Sequence, residues 1–224
     1  QQDKTNCKGD SIINAVSWYY KATLYIPLTM GIFGKIFGRK NISQNEDKNL
    51  PSFWEDDYCQ VEIVPRKNVE HIQTSIKQIV DFTEKTRTEY GFTAIFMREG
   101  MPFPTLNEEL RIDYLEKLLT EKGFEKAKQI RYDGYTITDC SKTTSNAFSL
   151  PCFNFFYDCK DEFINNIWSS TSLITSTDHF NKILETLYEL GEGCELVLIN
   201  WNSSELIDLS DRKQIEKYLM SYWK

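Results

Sequence analysis

Leu50-Pro51-Ser52-Phe53-Trp54-Glu55-Asp56-Asp57-Tyr58-Cys59-Gln60-Val61-Glu62-Ile63-Val64-Pro65 divides the chain into two unlike parts. Before it no hydrophobic period is sustained; after it, helix-period and strand-period segments alternate toward the C-terminus. The run changes character midway. Phe53, Trp54 and Tyr58 surround the carboxylates Glu55, Asp56 and Asp57, and Tyr58 to Val64 is then β-rich and closed by Pro65. That pattern predicts a strand entered from an acidic, aromatic loop.

Downstream, Asn68 is placed as an N-cap ahead of Val69, Ile72, Ile76, Ile79 and Val80, which predicts a helix to about Tyr90, stopped by Gly91. Phe92 to Met97 reads as a buried strand. Thr105 with Glu108 makes a capping-box pattern opening a second helix, with Leu110, Tyr114, Leu115, Leu118 and Leu119 as its apolar face and Gly123 as its end. Gln129 to Tyr132 and Tyr135 to Thr138 flank Asp133-Gly134, the strongest hairpin signal in the chain. The apolar run Phe148 to Tyr157, broken by Pro151, predicts a strand, and Asp161 to Trp168 a short helix. A helix from Thr177 carries Phe180, Ile183, Leu184 and Leu187 on one face and closes at Gly191. Cys194 to Trp201 is the most apolar strand, Leu206 to Leu209 a short one, and Ser210 caps a last helix bearing Ile215, Tyr218, Leu219 and Tyr222, with Trp223 pinning it to the body.

The expected fold is therefore α+β: a mixed sheet of about six to seven strands flanked by about five helices, in one globular domain over residues 50–224. Residues 58–122 and 152–222 run through a similar order of elements, with Phe92–Met97 answering Glu195–Asn200. Two related βαβα halves and a chance recurrence both explain that order. Residues 1–49 read as an extension and polar linker, with Met30 as the expected natural start. Ile12 to Ile26 is interrupted by Lys21 and is shorter than a bilayer span, and it lacks the layout of a signal peptide.

Of 224 residues, 41% are hydrophobic and 14% aromatic, which is ordinary globular usage with plentiful rings. The net charge is −7, from 26 basic and 33 acidic side chains. The one small basic cluster, Lys35, Arg39 and Lys40, does not suit a phosphate backbone, so nucleic acid is not expected as a ligand; a basic protein is the easier partner. Cys7, Cys59, Cys140, Cys152, Cys159 and Cys194 contain no C-x-x-C pair, and His71 and His179 add no metal-ligand spacing. Their spacing suggests free thiols in a reducing, cytoplasmic compartment, with no membrane span and no cofactor.

Two classes of function remain open. In the first, Trp54, Glu55, Asp56, Asp57 and Tyr58 form a protein-docking surface, the carboxylates steering a basic partner and the rings anchoring it. A solvated loop and a divalent-cation site are the alternatives for these carboxylates. In the second, a small hydrolase or transferase site is assembled from scattered carboxylates and Cys/His pairs, such as Cys59 with His71 or Cys159 with His179. That reading requires a pocket of converging polar groups. No phosphate loop, G-x-S-x-G or H-E-x-x-H is present in the sequence.

The opening Met30-Gly31-Ile32-Phe33-Gly34-Lys35-Ile36-Phe37-Gly38-Arg39-Lys40, the entry Leu50 to Cys59, and Leu206-Ile207-Asp208-Leu209-Ser210 before a helix resemble, in layout and short phrases, bacterial immunity proteins. These are the cytoplasmic partners of polymorphic and contact-dependent toxins. The resemblance implies neutralisation of a cognate toxin by direct binding through an acidic, aromatic surface, without catalysis or cofactor. It transfers no individual binding residue.

Overall fold

A computed structural model describes residues 50–224; the extension, the linker and the Met30 start lie outside the described residues. Strands β1 (Ser52–Phe53) and β2 (Val61–Pro65) precede helix α1 (Val69–Thr86), and β3 (Arg87–Thr88) and β4 (Gly91–Phe92) follow it. Next come α2 (Ile112–Glu121), β5 (Glu125–Lys126), β6 (Gln129–Tyr132), β7 (Thr136–Asp139), β8 (Ser145–Leu150), β9 (Phe153–Lys160) and β10 (Phe163–Thr171). The chain ends with α3 (Thr177–Cys194), β11 (Leu196–Asn200), β12 (Glu205–Asp208) and α4 (Arg212–Met220). The fold is α+β, around a seven-stranded sheet of order β12-β11-β2-β10-β9-β8-β5.

Alternation along the strands sorts residues to the two faces of that sheet. Ile63, Leu198, Phe155, Tyr157 and Ile167 join Leu115, Leu118, Leu119, Ile183, Leu187, Ile215 and Leu219 of α2, α3 and α4 in the main core. The opposite face is covered in two parts. Val64, Val197, Ile199 and Trp201 pack against Ile72 of α1. Phe156, Trp168 and Ala147 pack against Phe53 and Ile130 of the small sheet β1-β6-β7. The segment 50–65 thus joins both covers: β1 belongs to the small sheet and β2 to the middle of the large one.

Several expectations are corrected. Every pairing in the seven-stranded sheet is antiparallel, not mixed; parallel pairing joins β1 with β6 and, as an isolated bridge, Ile174 with Trp223. Four α-helices are described rather than five, because Asp161–Trp168 is a hairpin turn running into β10. A register shift between Ile164 and Asn166 inserts one residue, so Ile164 and Ile167 reach the same core. That bulge turns period two into a three-residue spacing that imitates a helix. Phe92–Met97 is not a strand of the large sheet; Phe92 is 55% and Met97 66% exposed, unlike β11, which is buried along its whole length. Asn68 stands at the N-cap position of α1, but its side chain makes no capping hydrogen bond. It is fully buried, donating from Nδ2 to Phe103 O at 2.8 Å and accepting from Phe103 N–H at 3.0 Å, so it holds the loop before α2.

Thr105–Glu108 is a separate 3-10 turn, and α2 starts only at Ile112. Tyr114 lies outside the apolar face of α2, whereas Gly123 ends the helix with φ +82° as the pattern implied. The run Phe148–Tyr157 is two strands, β8 and β9, turned at Pro151 and Cys152. Helix α3 passes through Gly191, where a Cβ would lie 2.1 Å from the Leu209 carbonyl carbon; the glycine serves close approach, not termination. Asp211, not Ser210, caps α4, accepting from Lys213 N–H at 2.9 Å. Trp223 does help fasten the C-terminus: its ring meets Phe180 edge-on at 5.5 Å, and Ile174 N–H donates to Tyr222 O at 2.8 Å.

Candidate functional site

The acidic, aromatic loop folds as a knuckle on the small sheet. Glu55–Asp57 form one 3-10 turn, not an extended segment, and all three side chains are exposed. The Asp57 carboxylate accepts from Trp54 N–H at 3.2 Å and closes the turn. From the neighbouring hairpin, the Asp133 carboxylate accepts from Glu55 N–H at 3.0 Å, and Asp133 N–H donates to Phe53 O at 3.2 Å. The hairpin supplies a seat for the indole. Asp133 and Gly134 take φ of +50° and +73°, and a Cβ on Gly134 would stand 2.8 Å from Trp54 Cζ2. Glycine suits this position on both counts. Trp54 nevertheless stays 56% exposed, and Tyr135, next in the turn, is 80% exposed.

Tyr58 departs from the other four residues singled out in the sequence. Its ring lies 4.6 Å from Trp168, and its hydroxyl donates to Asp158 at 2.6 Å and accepts from Asn166 Nδ2 at 2.9 Å. Asp158 also accepts from Ser145 Oγ at 2.5 Å. The following residue, Cys59, takes φ +53° and is buried. Glu62, one strand-step into β2, accepts from Trp201 Nε1 at 2.5 Å and from Arg98 at 3.3 Å, while the Arg98 guanidinium stacks 4.2 Å over the Trp201 ring. A set of polar residues therefore lies about Cys59 in two hydrogen-bonded groups, Tyr58 with Asp158, Asn166 and Ser145, and Glu62 with Trp201 and Arg98, each joining residues far apart in sequence. Nothing local in the sequence marks Asp158, Asn166, Arg98 or Trp201 as their members.

The chemistry of these groups is that of fixed networks. Burial pushes the Cys59 thiol well up from its ordinary value, and the charges of Glu62 and Asp158 add to the effect against a smaller pull from Arg98. A thiol so held stays protonated and is a poor nucleophile. Burial likewise raises Glu62, offset in part by Arg98 and Trp201, and raises the Tyr58 hydroxyl, with Cys59 and Asp158 reinforcing it. Cys159, the other thiol considered with a histidine, donates to Thr144 O at 3.5 Å and accepts from Asn146 at 3.8 Å. Cys59, Cys140, Cys152, Cys159 and Cys194 are free. Among the described residues no group of three His, Cys, Asp or Glu stands where it holds a metal ion, and no helix is long and apolar enough to cross a membrane.

The sequence reading missed part of the exposed surface as well. Asp133, Tyr135 and Ile137 belong to it, and the only signal was the aromatic residue directly after the Asp133-Gly134 turn. In comparison with known proteins, the chain matches no family model, no curated protein and no solved structure.

Proposed function

We propose that this chain is a non-catalytic binding protein that docks a basic protein partner on the surface made by Trp54, Glu55, Asp56 and Asp57 with the 133–137 hairpin. Neutralisation of a cognate toxin inside the cell is the setting that the short-phrase resemblance suggests. The observation that carries the reading is the knuckle itself. Three adjacent carboxylates stand in solvent around an indole that is clamped over Gly134 yet left more than half exposed. A ring already held in place loses little side-chain entropy on binding, and the carboxylates steer a cation-rich surface toward it. Tyr58 acts from below: its inward ring and hydroxyl fix the knuckle to the sheet rather than meeting the partner.

The enzymatic alternative, a site of scattered carboxylates and Cys/His pairs, has Glu62 and Asp158 near the Cys59 thiol, each bonded to separate partners. Their protein–protein hydrogen bonds and the raised thiol favour a structural role over catalysis. The test is association kinetics between the chain and the product of the adjacent gene, for the wild type and for Asp56→Lys/Asp57→Lys. Association of the double variant is expected to slow about tenfold at low ionic strength, with the difference shrinking near 0.5 M salt, roughly, as charges are screened. Equal rates at low salt remove these carboxylates from the interface.

A further inference from the structure

The sheet edges of this molecule are unequally protected. β5, at one end of the large sheet, is two residues long and carries Glu125 and Lys126. At the other end, the Asp208 N–H of β12 donates to Gln214 Oε1 of α4 at 3.0 Å. β1, the outer strand of the small sheet, is two residues long and follows Pro51, which has no N–H. Short length, charge, proline and coverage are the devices that keep an edge from pairing with another chain. β7 is four residues long and ends in Asp139, whose carboxylate is engaged by Gln129 and Lys142, but its β-branched run Thr136-Ile137-Thr138 carries neither charge nor proline, and among the described residues no strand lies beyond it.

The register says which backbone groups that edge offers. Cys140 N–H donates to Lys128 O at 2.9 Å, so Lys128 and Cys140 stand at a hydrogen-bonded position of the ladder. Bonded and non-bonded pairs alternate in an antiparallel ladder. The pairs Gln129–Asp139 and Arg131–Ile137 are therefore non-bonded, in agreement with Arg131 N–H donating away from β7, to Pro51 O at 2.9 Å. The N–H and C=O of Ile137 and Asp139 point outward from the sheet. The turn end of this edge lies beside Glu55, Asp56, Asp57 and Asp133, whose carboxylates favour a cationic neighbour.

We infer that β7 is a strand-addition site, and that its occupant is an extended, lysine- or arginine-bearing segment of the partner that pairs with Ile137 and Asp139. The inference rests on the reading of the Trp54–Asp57 side as a docking surface for a basic protein, and adds how that protein is held: main-chain hydrogen bonds along the edge, charge at its end. The probe is a synthetic peptide of about ten residues alternating lysine with valine or threonine, beside a counterpart with glutamate for lysine. Amide hydrogen exchange in the full chain is followed at Ile137 and Asp139. The basic peptide is expected to slow both amides about tenfold at saturation and the acidic one to leave them unchanged. Ile137→Pro deletes one outward donor and spares the β6–β7 ladder, because an edge strand tolerates proline where its N–H faces solvent; it is expected to abolish the protection. Should that variant not fold, Ile137→Lys, at a half-exposed side chain, sets a like charge on the edge and is expected to weaken the basic peptide alone.

Absence of protection by the basic peptide, or equal protection by both peptides, overturns the inference. So does a concentration-dependent dimer of the wild type that Ile137→Pro dissolves, since a second copy then occupies the edge. A basic partner that binds wild type and Ile137→Pro equally, but weakens on Asp56→Lys/Asp57→Lys, overturns the strand addition and keeps the docking surface. Peptide protection that survives Asp56→Lys/Asp57→Lys supports the edge and removes the knuckle.

Discussion

Gly134→Ala tests whether the Trp54 ring is seated where the knuckle needs it. Two costs follow from the structure. At φ +73° an alanine adopts the left-handed region, at a cost of about 1 kcal/mol. Its Cβ would also stand 2.8 Å and 2.9 Å from two indole carbons, so the ring must move off the turn. Trp54 is 56% exposed, so seating removes at most roughly 100 Å² from water, worth about 2.5 kcal/mol as an upper bound. Because the displaced ring regains some contact elsewhere, the single variant is expected to lose about 1–3 kcal/mol, or about 3–10 °C in Tm for a chain of this size. The same change made in Trp54→Ala should cost only the backbone part, about 1 kcal/mol. A double-mutant cycle by urea denaturation reads the difference as coupling, and the rate of partner association should fall with the single variant. Zero coupling between positions 54 and 134, with unaltered association, refutes the seat and the pre-ordered anchor argued from it.

Two further outcomes follow from the same geometry. Gly191→Ala would drive a methyl to 2.1 Å from the Leu209 carbonyl carbon; backbone on both sides leaves no rotamer to yield, so a loss of at least about 3 kcal/mol is expected in denaturant melts, and a neutral variant would show that α3 does not approach Leu209 so closely. Arg66 donates two hydrogen bonds to Asp208, at 2.7 and 2.6 Å, and holds that carboxyl well below the usual range, with Ser210 assisting. A lowered folded-state pKa stabilises above the ordinary carboxylate value, about pH 4, and that contribution is lost as pH falls below it. The stability gap between wild type and Asp208→Asn should therefore be widest near neutral pH and close on acidification; a gap constant with pH contradicts the pair.

The sequence was most legible where one cause acts locally. Asp133-Gly134 makes its turn because the pair accepts successive positive φ, and the faces of α3 and α4 follow from spacing that nothing interrupts. It misled where two causes share a position. The β10 bulge gave Ile164 and Ile167 a helical spacing; Gly191 looked like a stop and is a contact; Asn68 looked like a cap, and its amide is committed to Phe103. Each of those outcomes depends on residues tens of positions away, which no local window contains. The candidate surface divides in the same way. The exposed carboxylates were readable from composition, whereas the inward turn of Tyr58 depends on Asp158 and Asn166, and the Trp54 seat on Gly134.

Strand β2 carries one more consequence, for biosynthesis. It lies between β10 and β11, so the middle of the sheet pairs residues 61–65 with residues 163–171 and 196–200. A nascent chain that has emerged only through α2 presents β2 with no partner on either side. Lateral closure waits until β10 and β11 have both been synthesised, and such late, non-local pairing is slow. Cleavage anywhere between α2 and β10 separates a strand from both of its neighbours, so the two fragments are expected to associate with each other or aggregate rather than fold apart.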